Sequence, residues 1–127
     1  MKPKVLCVDD QYGMRVLLKE ILKRDYDVEV VETGEEALEL VKKFKPQVVL
    51  LDMKLQNMKG TDVLKLMRQI DHSISSIILT GYSEQDKLDE IEESKPELVI
   101  KKPFDIDIVR NSVRKLISES MRNEFAC

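Results

Sequence analysis

Short apolar runs rich in β-branched residues alternate along the chain with stretches whose apolar residues recur at helical spacing. That alternation is the pattern of a parallel sheet built from strand–helix crossover units. Val5–Val8 reads as a first strand, and Met14, Leu17, Leu18, Ile21 and Leu22 then form one stripe of a helix from about Gln11 to Lys23. Val28–Val31 is a second strand. Thr33-Gly34-Glu35-Glu36 is a capping box that opens a helix burying Ala37, Leu38, Val41 and Phe44. After Pro46, Val48-Val49-Leu50-Leu51 is continuously apolar, as expected of a strand covered by helices on both faces.

A loop from Met53 to Gly60 leads to a helix carrying Val63, Leu64, Met67 and Ile70, and Ile74–Leu79 is the fourth strand. The next helix, roughly Ser83 to Glu93, is the weakest, with only Leu88 and Ile91 apolar. Pro96 precedes the fifth strand, Leu98–Ile100, and Ile106, Val109, Val113, Leu116 and Ile117 mark a last helix. The stripe ends there, so a domain over 1–120 with a tail at 121–127 is expected. The expected fold is α/β and flavodoxin-like: a doubly wound sheet of five parallel strands, order 2-1-3-4-5, with helices on both faces.

Length and composition narrow the function. The chain's 127 residues fit one domain, and 43% hydrophobic against 35% charged residues is too apolar for disorder. With 21 Lys and Arg against 24 Asp and Glu, the net charge of −3 argues against nucleic-acid binding. The single His, His72, excludes histidine-rich zinc sites and reads as an exposed loop residue. The first apolar run is too short for a signal peptide or a membrane span. Cys7 within that run and Cys127 on the tail read as reduced thiols, so a cytoplasmic protein is expected.

In doubly wound sheets the ligand site lies beyond the carboxyl ends of the strands. Strand one ends in Asp9-Asp10, strand three in Asp52, strand four in Thr80 and strand five in Lys101-Lys102-Pro103. Any one of these has a simple structural account: the acidic pair as a helix cap, Thr80 as an N-cap, Lys102 as a solvated loop residue. Together they form a chemical constellation. Crowded carboxylates stay charged only beside a cation, and a donor set without His or thiolate points to Mg²⁺, with Mn²⁺ as the second choice. One carboxylate is then left to act as a nucleophile, forming an aspartyl phosphate whose oxygens a lysine and a hydroxyl would hold.

In the acidic pair, the central Asp52, Thr80 and the Lys102-Pro103 step, the chain resembles the receiver domains of response regulators over about Lys4 to Ile117. The runs Val8–Arg15 and Lys102–Asp107 are most similar to single-domain regulators of sporulation-type phosphorelays. The resemblance implies Asp52 as phosphoacceptor from a partner's phosphohistidine. It implies Asp10, Asp52 and the backbone carbonyl of Lys54 as direct metal ligands, with Asp9 acting mainly through water. Thr80 becomes the switch hydroxyl, Tyr82 the switch aromatic and Lys102 the partner of the phosphoryl group, with a cis Lys102–Pro103 bond. Gln56-Asn57 and Gly81 depart from the family's usual Pro-Gly and Ala, which touches loop rigidity and switching but removes no chemical group.

The implied partners are a sensor histidine kinase, a histidine phosphotransfer protein, or both, and a phosphatase is a further candidate. No nucleic acid, no membrane and a monomeric state are expected. Gln11, Gly13, Met14, Leu17, Leu18 and Phe104 are candidates for the partner surface, although Leu17 and Leu18 share the core stripe and one of them is packing. Gly13 in the first turn of a helix costs roughly 1 kcal/mol against Ala, and either close approach of a partner or simple tolerance explains it. The acidic helix after Thr80 reads as a solvated face that shifts when Thr80 and Tyr82 move on phosphorylation. Lys54 and Tyr82 flank the path of a hydrolytic water, which implies a long-lived phosphoform.

The protein is not expected to be an enzyme beyond its own Mg-dependent phosphorylation and dephosphorylation. A haloacid-dehalogenase-type phosphatase would carry a second Asp two residues after its nucleophile, where this chain has Lys54. A flavin module would need a phosphate loop that Asp9-Asp10-Gln11 would repel. A chemotaxis-type stand-alone receiver acting on a motor or a kinase remains as the alternative.

Overall fold

The run Val48–Asp52 is buried at every position, which for a strand requires cover on both faces. In the computed structural model, which describes residues 1–81 and 87–125 with side chains to 122, this run is the central strand of a sheet. Strands Lys4–Val8 (β1), Asp27–Val31 (β2), Val48–Asp52 (β3), Ser75–Thr80 (β4) and Leu98–Lys101 (β5) alternate with five helices. These are Tyr12–Leu22 (α1), Gly34–Phe44 (α2), Gly60–Ile70 (α3), Leu88–Ser94 (α4) and Ile106–Phe125 (α5). The strands are parallel, in the order β2-β1-β3-β4-β5. This is the doubly wound fold expected from the sequence.

Strand alternation distributes the side chains between two cores. Val5, Cys7, Val48, Leu50, Ile77 and Leu79 point to one face, where they pack with Leu18, Ile21 and Leu22 of α1 and Val109, Val113 and Leu116 of α5. Leu6, Val8, Val49, Leu51 and Ile78 point to the other, against Ala37 and Val41 of α2, Val63, Leu64 and Met67 of α3, and Ile91 of α4. The period of two in the strands thus decides which helices lie on which side. Cys7 is fully buried, and burial, with Asp9 adding to it, pushes its thiol up to about 12. It is an unreactive core residue.

Local signals account for the helix ends. Thr33 caps α2 by accepting the Glu36 amide at 3.1 Å. Lys45 and Lys95 end α2 and α4 in left-handed conformation, both at φ 53°, directly before Pro46 and Pro96. The short α4 is fastened at its far end, where the Arg68 guanidinium of α3 donates to the carbonyls of Ser94 and Lys95. Next to it, Glu97 accepts the Ser76 amide at 2.6 Å.

The sequence expectation fails in two places. The stretch after Ser118 is not a loose tail, because α5 continues to Phe125. No Gly or Pro interrupts it, and an established helix propagates on backbone hydrogen bonds without needing an apolar stripe. Ile70, Leu88 and Ile106 are exposed rather than core residues. Of the expected helix from Ser83 to Glu93, positions 83–86 fall outside the described residues, and the described part runs one residue further, to Ser94.

A close approach between elements fixes the carboxyl end of β3. A Cβ on Gly60 would overlap the backbone of Asp52 and Met53, and the Gly60 amide donates to the Met53 carbonyl at 2.7 Å. Only glycine lets α3 begin this close to the strand. Gly60→Ala should therefore lower stability by about 1–3 kcal/mol, the usual range for overpacking, measured by urea unfolding. An unchanged midpoint would show that the two backbones separate freely.

Candidate functional site

Each strand that ends in an unusual residue delivers it to the same edge of the sheet. Asp9 follows the last residue of β1, Asp52 and Thr80 end β3 and β4, and Lys102 follows β5. Asp9 is 0%, Thr80 3% and Asp52 7% exposed, whereas Asp10 faces solvent. One carboxylate oxygen from each of Asp9, Asp10 and Asp52 lies within 4.8 Å of the others. The Lys102 Nζ stands 3.3 Å from both Asp9 Oδ2 and Asp52 Oδ1, and the Lys102–Pro103 peptide that carries it is cis.

Three acids against one ammonium leave the site short of positive charge. Burial of Asp52 and the neighbouring Asp9 push its carboxyl up from 3.8 to about 6; Lys102 pulls it down, and Asp10 pushes it up further. For Lys102, burial disfavours the ammonium, but Asp52 and Asp9 outweigh it and its pKa rises above the usual lysine range. The lysine is therefore a permanent cation here. A divalent ion fits what remains. The donors are hard carboxylate oxygens gathered from two strand ends, and the excess negative charge sits where such an ion would neutralise it.

Asp9 also serves the backbone. Its Oδ1 accepts the Gln11 amide at 2.9 Å, which closes the turn into α1, whose own N-cap residue Gln11 makes no side-chain cap bond. The helix-capping account of the acidic pair thus holds for Asp9 and leaves Asp10 free for other work. Thr80 donates to the Gly81 carbonyl at 3.5 Å, a long and weak bond. Asp10, Asp52, Lys54, Gln56 and Lys102 line a cavity of about 490 Å³ that opens onto the acids. Tyr82 lies outside the described residues.

Among the partner-surface candidates the structure separates the two leucines. Leu17 is 37% exposed, while Leu18 is fully buried in the α1–α5 core. Leu18 is therefore withdrawn from the surface, because the helical stripe places it against the sheet. Gln11 and Gly13 are exposed, and a Cβ on Gly13 would meet nothing within 4 Å, so no contact within the chain calls for glycine there. Met14 and Phe104 are half-buried against the same core. His72 is exposed, as expected.

Two residues near the site, Arg15 and Lys59, have roles that sequence reasoning missed. Arg15 donates to the Asp9 carbonyl at 2.9 Å. Lys59, the residue before α3, pairs with Glu90 of α4 at 3.0 Å. Lys59 and Glu90 meet only in the fold, and Arg15 bonds to a backbone carbonyl, which carries no residue identity.

Residues 5–114 match the family model of the response regulator receiver domain. The chain is 43% identical over 118 residues to sporulation initiation phosphotransferase F of Bacillus subtilis, covering 92% of this chain and 95% of that protein. It is 35% identical to chemotaxis protein CheY of Listeria monocytogenes over 88% of this chain and 96% of that one. Among solved structures it is similar to the REC domain of AraT, a response regulator from Geobacillus stearothermophilus. That likeness has a TM-score of 0.87 and 27% identity, over 98% of this chain and 99% of the other.

The raised Asp52 carboxyl makes a pH prediction for protein kept in a chelator. Its folded pKa of about 6 lies above the ordinary 3.8. The group's contribution to stability is thus full below 3.8 and is lost as pH rises through about 6. Asp52→Asn should then stabilise the protein by about 2 kcal/mol near neutral pH, with the gain vanishing near pH ~4, both read by urea unfolding. An equal gain at both pH values would contradict the electrostatic account.

Proposed function

The chain belongs to the response regulator receiver domain family, and on that premise we propose that Asp52 is the phosphoacceptor of a phosphorelay. The observation that carries this reading is the position of Asp52, on a buried strand end with Lys102 3.3 Å away and a cavity above it. A carboxylate oxygen of Asp52 attacks the phosphorus of a partner's phosphohistidine. The P–O bond forms as the N–P bond breaks, and the electron pair returns to the imidazole nitrogen.

Asp10, Asp52 and the backbone carbonyl of Lys54 would hold Mg²⁺ or Mn²⁺, with Asp9 acting through water. When bound, the ion neutralises the acids and spreads the charge of the phosphoryl group. The chain's own groups do the rest. Lys102, already placed between two carboxylates, turns its ammonium to a phosphoryl oxygen. Thr80 exchanges its weak 3.5 Å bond for another phosphoryl oxygen, so little is lost in the turn. Tyr82 follows Thr80, and α4 shifts with it. Beyond its own phosphorylation and dephosphorylation the protein turns over no substrate.

The partners on this reading are a sensor histidine kinase, a histidine phosphotransfer protein, or both, with a phosphatase as a further one. They dock over Gln11, Gly13, Met14, Leu17 and Phe104. The receiver unit, whose last helix runs past the expected boundary at 120 to Phe125, is a monomer working in the cytoplasm. Among the described residues no helix is long and apolar enough to cross a membrane. A chemotaxis-type role is the second reading, favoured by the likeness to the Listeria protein.

Labelled phosphoryl passed from a histidine phosphotransfer protein in Mg²⁺ should appear on this chain, and should be absent from Asp52→Ala. Onward passage to a second receiver's phosphotransfer partner supports relay. Label that stays and decays in place supports docking instead. Transfer to Asp52→Ala at the native rate would refute the assignment. Amide shifts of residues 80–93 should move on phosphorylation, and unchanged shifts would refute the α4 switch. A double substitution of Lys54 and Tyr82 by Ala should shorten the phosphoform's half-life, and an unchanged half-life would show that they do not screen the site from water.

A further inference from the structure

Every polar atom of Asp9 is engaged. Its amide donates to the Val31 carbonyl at 3.1 Å, Oδ1 accepts the Gln11 amide, and Oδ2 faces Lys102 at 3.3 Å. Its carbonyl oxygen accepts from the Arg15 guanidinium at 2.9 Å. That carbonyl belongs to the planar peptide linking Asp9 to Asp10. Holding it fixes the plane from which the Asp10 side chain departs. Asp10 needs such help, because its carboxylate is exposed and receives no hydrogen bond among the described residues. Arg15 in turn is held on two sides. Its guanidinium lies 3.8 Å from Glu32, just beyond β2, and 5.7 Å from the centre of the Tyr12 ring. Its side chain is only 16% exposed.

We propose that Arg15 is a positioning residue, which aims the Asp10 carboxylate at the cation site by clamping the Asp9–Asp10 peptide. This rests on the reading of the acids as a Mg²⁺ site. Two effects of Arg15 have opposite signs, which makes the inference decidable. As a positive charge beside three acids, Arg15 repels a divalent cation, so its removal by charge alone would tighten Mg²⁺ binding. As a clamp it preorganises a ligand, and its removal weakens binding. Residues that orient metal ligands typically contribute tenfold or more to affinity. The bond to Asp9 is direct, so positioning should win.

The test is Mg²⁺ affinity by calorimetry and Mn²⁺ affinity by electron paramagnetic resonance, on the wild-type chain and on Arg15→Met, with Arg15→Gln in its place if the first does not fold. The neutral variant should bind both ions about tenfold or more weakly, with Arg15→Lys in between. In chelator, the Gln11 amide should exchange with solvent faster in the neutral variant, while the amides of Val5–Val8 stay protected. This readout needs no metal and would not follow from loss of global stability alone. Unchanged or tighter binding by the neutral variant, with wild-type binding intact and lost in Asp10→Asn, overturns the role of Arg15 alone. Failure of the wild-type chain to bind Mg²⁺, or equal binding by Asp10→Asn, overturns the metal site and the clamp together.

Discussion

Three carboxylates and a single ammonium share one edge of a buried sheet, and this unbalanced charge is what the surrounding structure has to hold together. Asp9 and Asp52 sit at the ends of neighbouring parallel strands, β1 and β3, so their separation is set by the sheet spacing and not by side-chain choice. Lys102 reaches both from β5, two strands away from β3 in the sheet. Burial first, and then repulsion from Asp9, raise the Asp52 carboxyl. A fold with a rigid, doubly covered sheet tolerates that repulsion because the apolar strands behind the site cannot relax to relieve it. The excess negative charge is local, and the three acids that carry it could hold a metal ion.

Much of this architecture is legible in the amino-acid sequence. Strand alternation at Val5 to Val8 and Val48 to Leu51 assigns each side chain to its core, and the polar residues that close the runs of β1, β3, β4 and β5 mark the edge where the site forms. Asp9, Asp52 and Lys102 are readable because a polar residue at a strand end has a defined position. The features that sequence hides depend on contacts between distant elements. Leu17 and Leu18 are adjacent on one helical stripe, and only the angle of α1 to the sheet decides that Leu18 is covered and Leu17 is not. Gly34 and Gly60 each allow a close approach, to Val63 and Met58 in one case and to the Asp52 backbone in the other. Arg15 bonds to a backbone carbonyl, which carries no residue identity. The extension of α5 escapes such a reading because its described side chains beyond Ile117 are polar or, as at Met121, exposed.

The far end of the molecule and the site end are built differently. At the far end α4 is bolted down by Arg68, whose guanidinium donates to the Ser94 and Lys95 carbonyls. Toward the site the described tie is Lys59 to Glu90, between two partly exposed side chains, an interaction worth about 1 kcal/mol or less.

The most direct test of the charge-frustrated site is the pH titration of the Asp52 carboxyl carbon by nuclear magnetic resonance, in chelator and then in Mg²⁺. Charge frustration predicts a midpoint of about 6 without the cation and a clear fall once it is bound. A midpoint at the ordinary carboxylate value in chelator, unmoved by Mg²⁺, would contradict it.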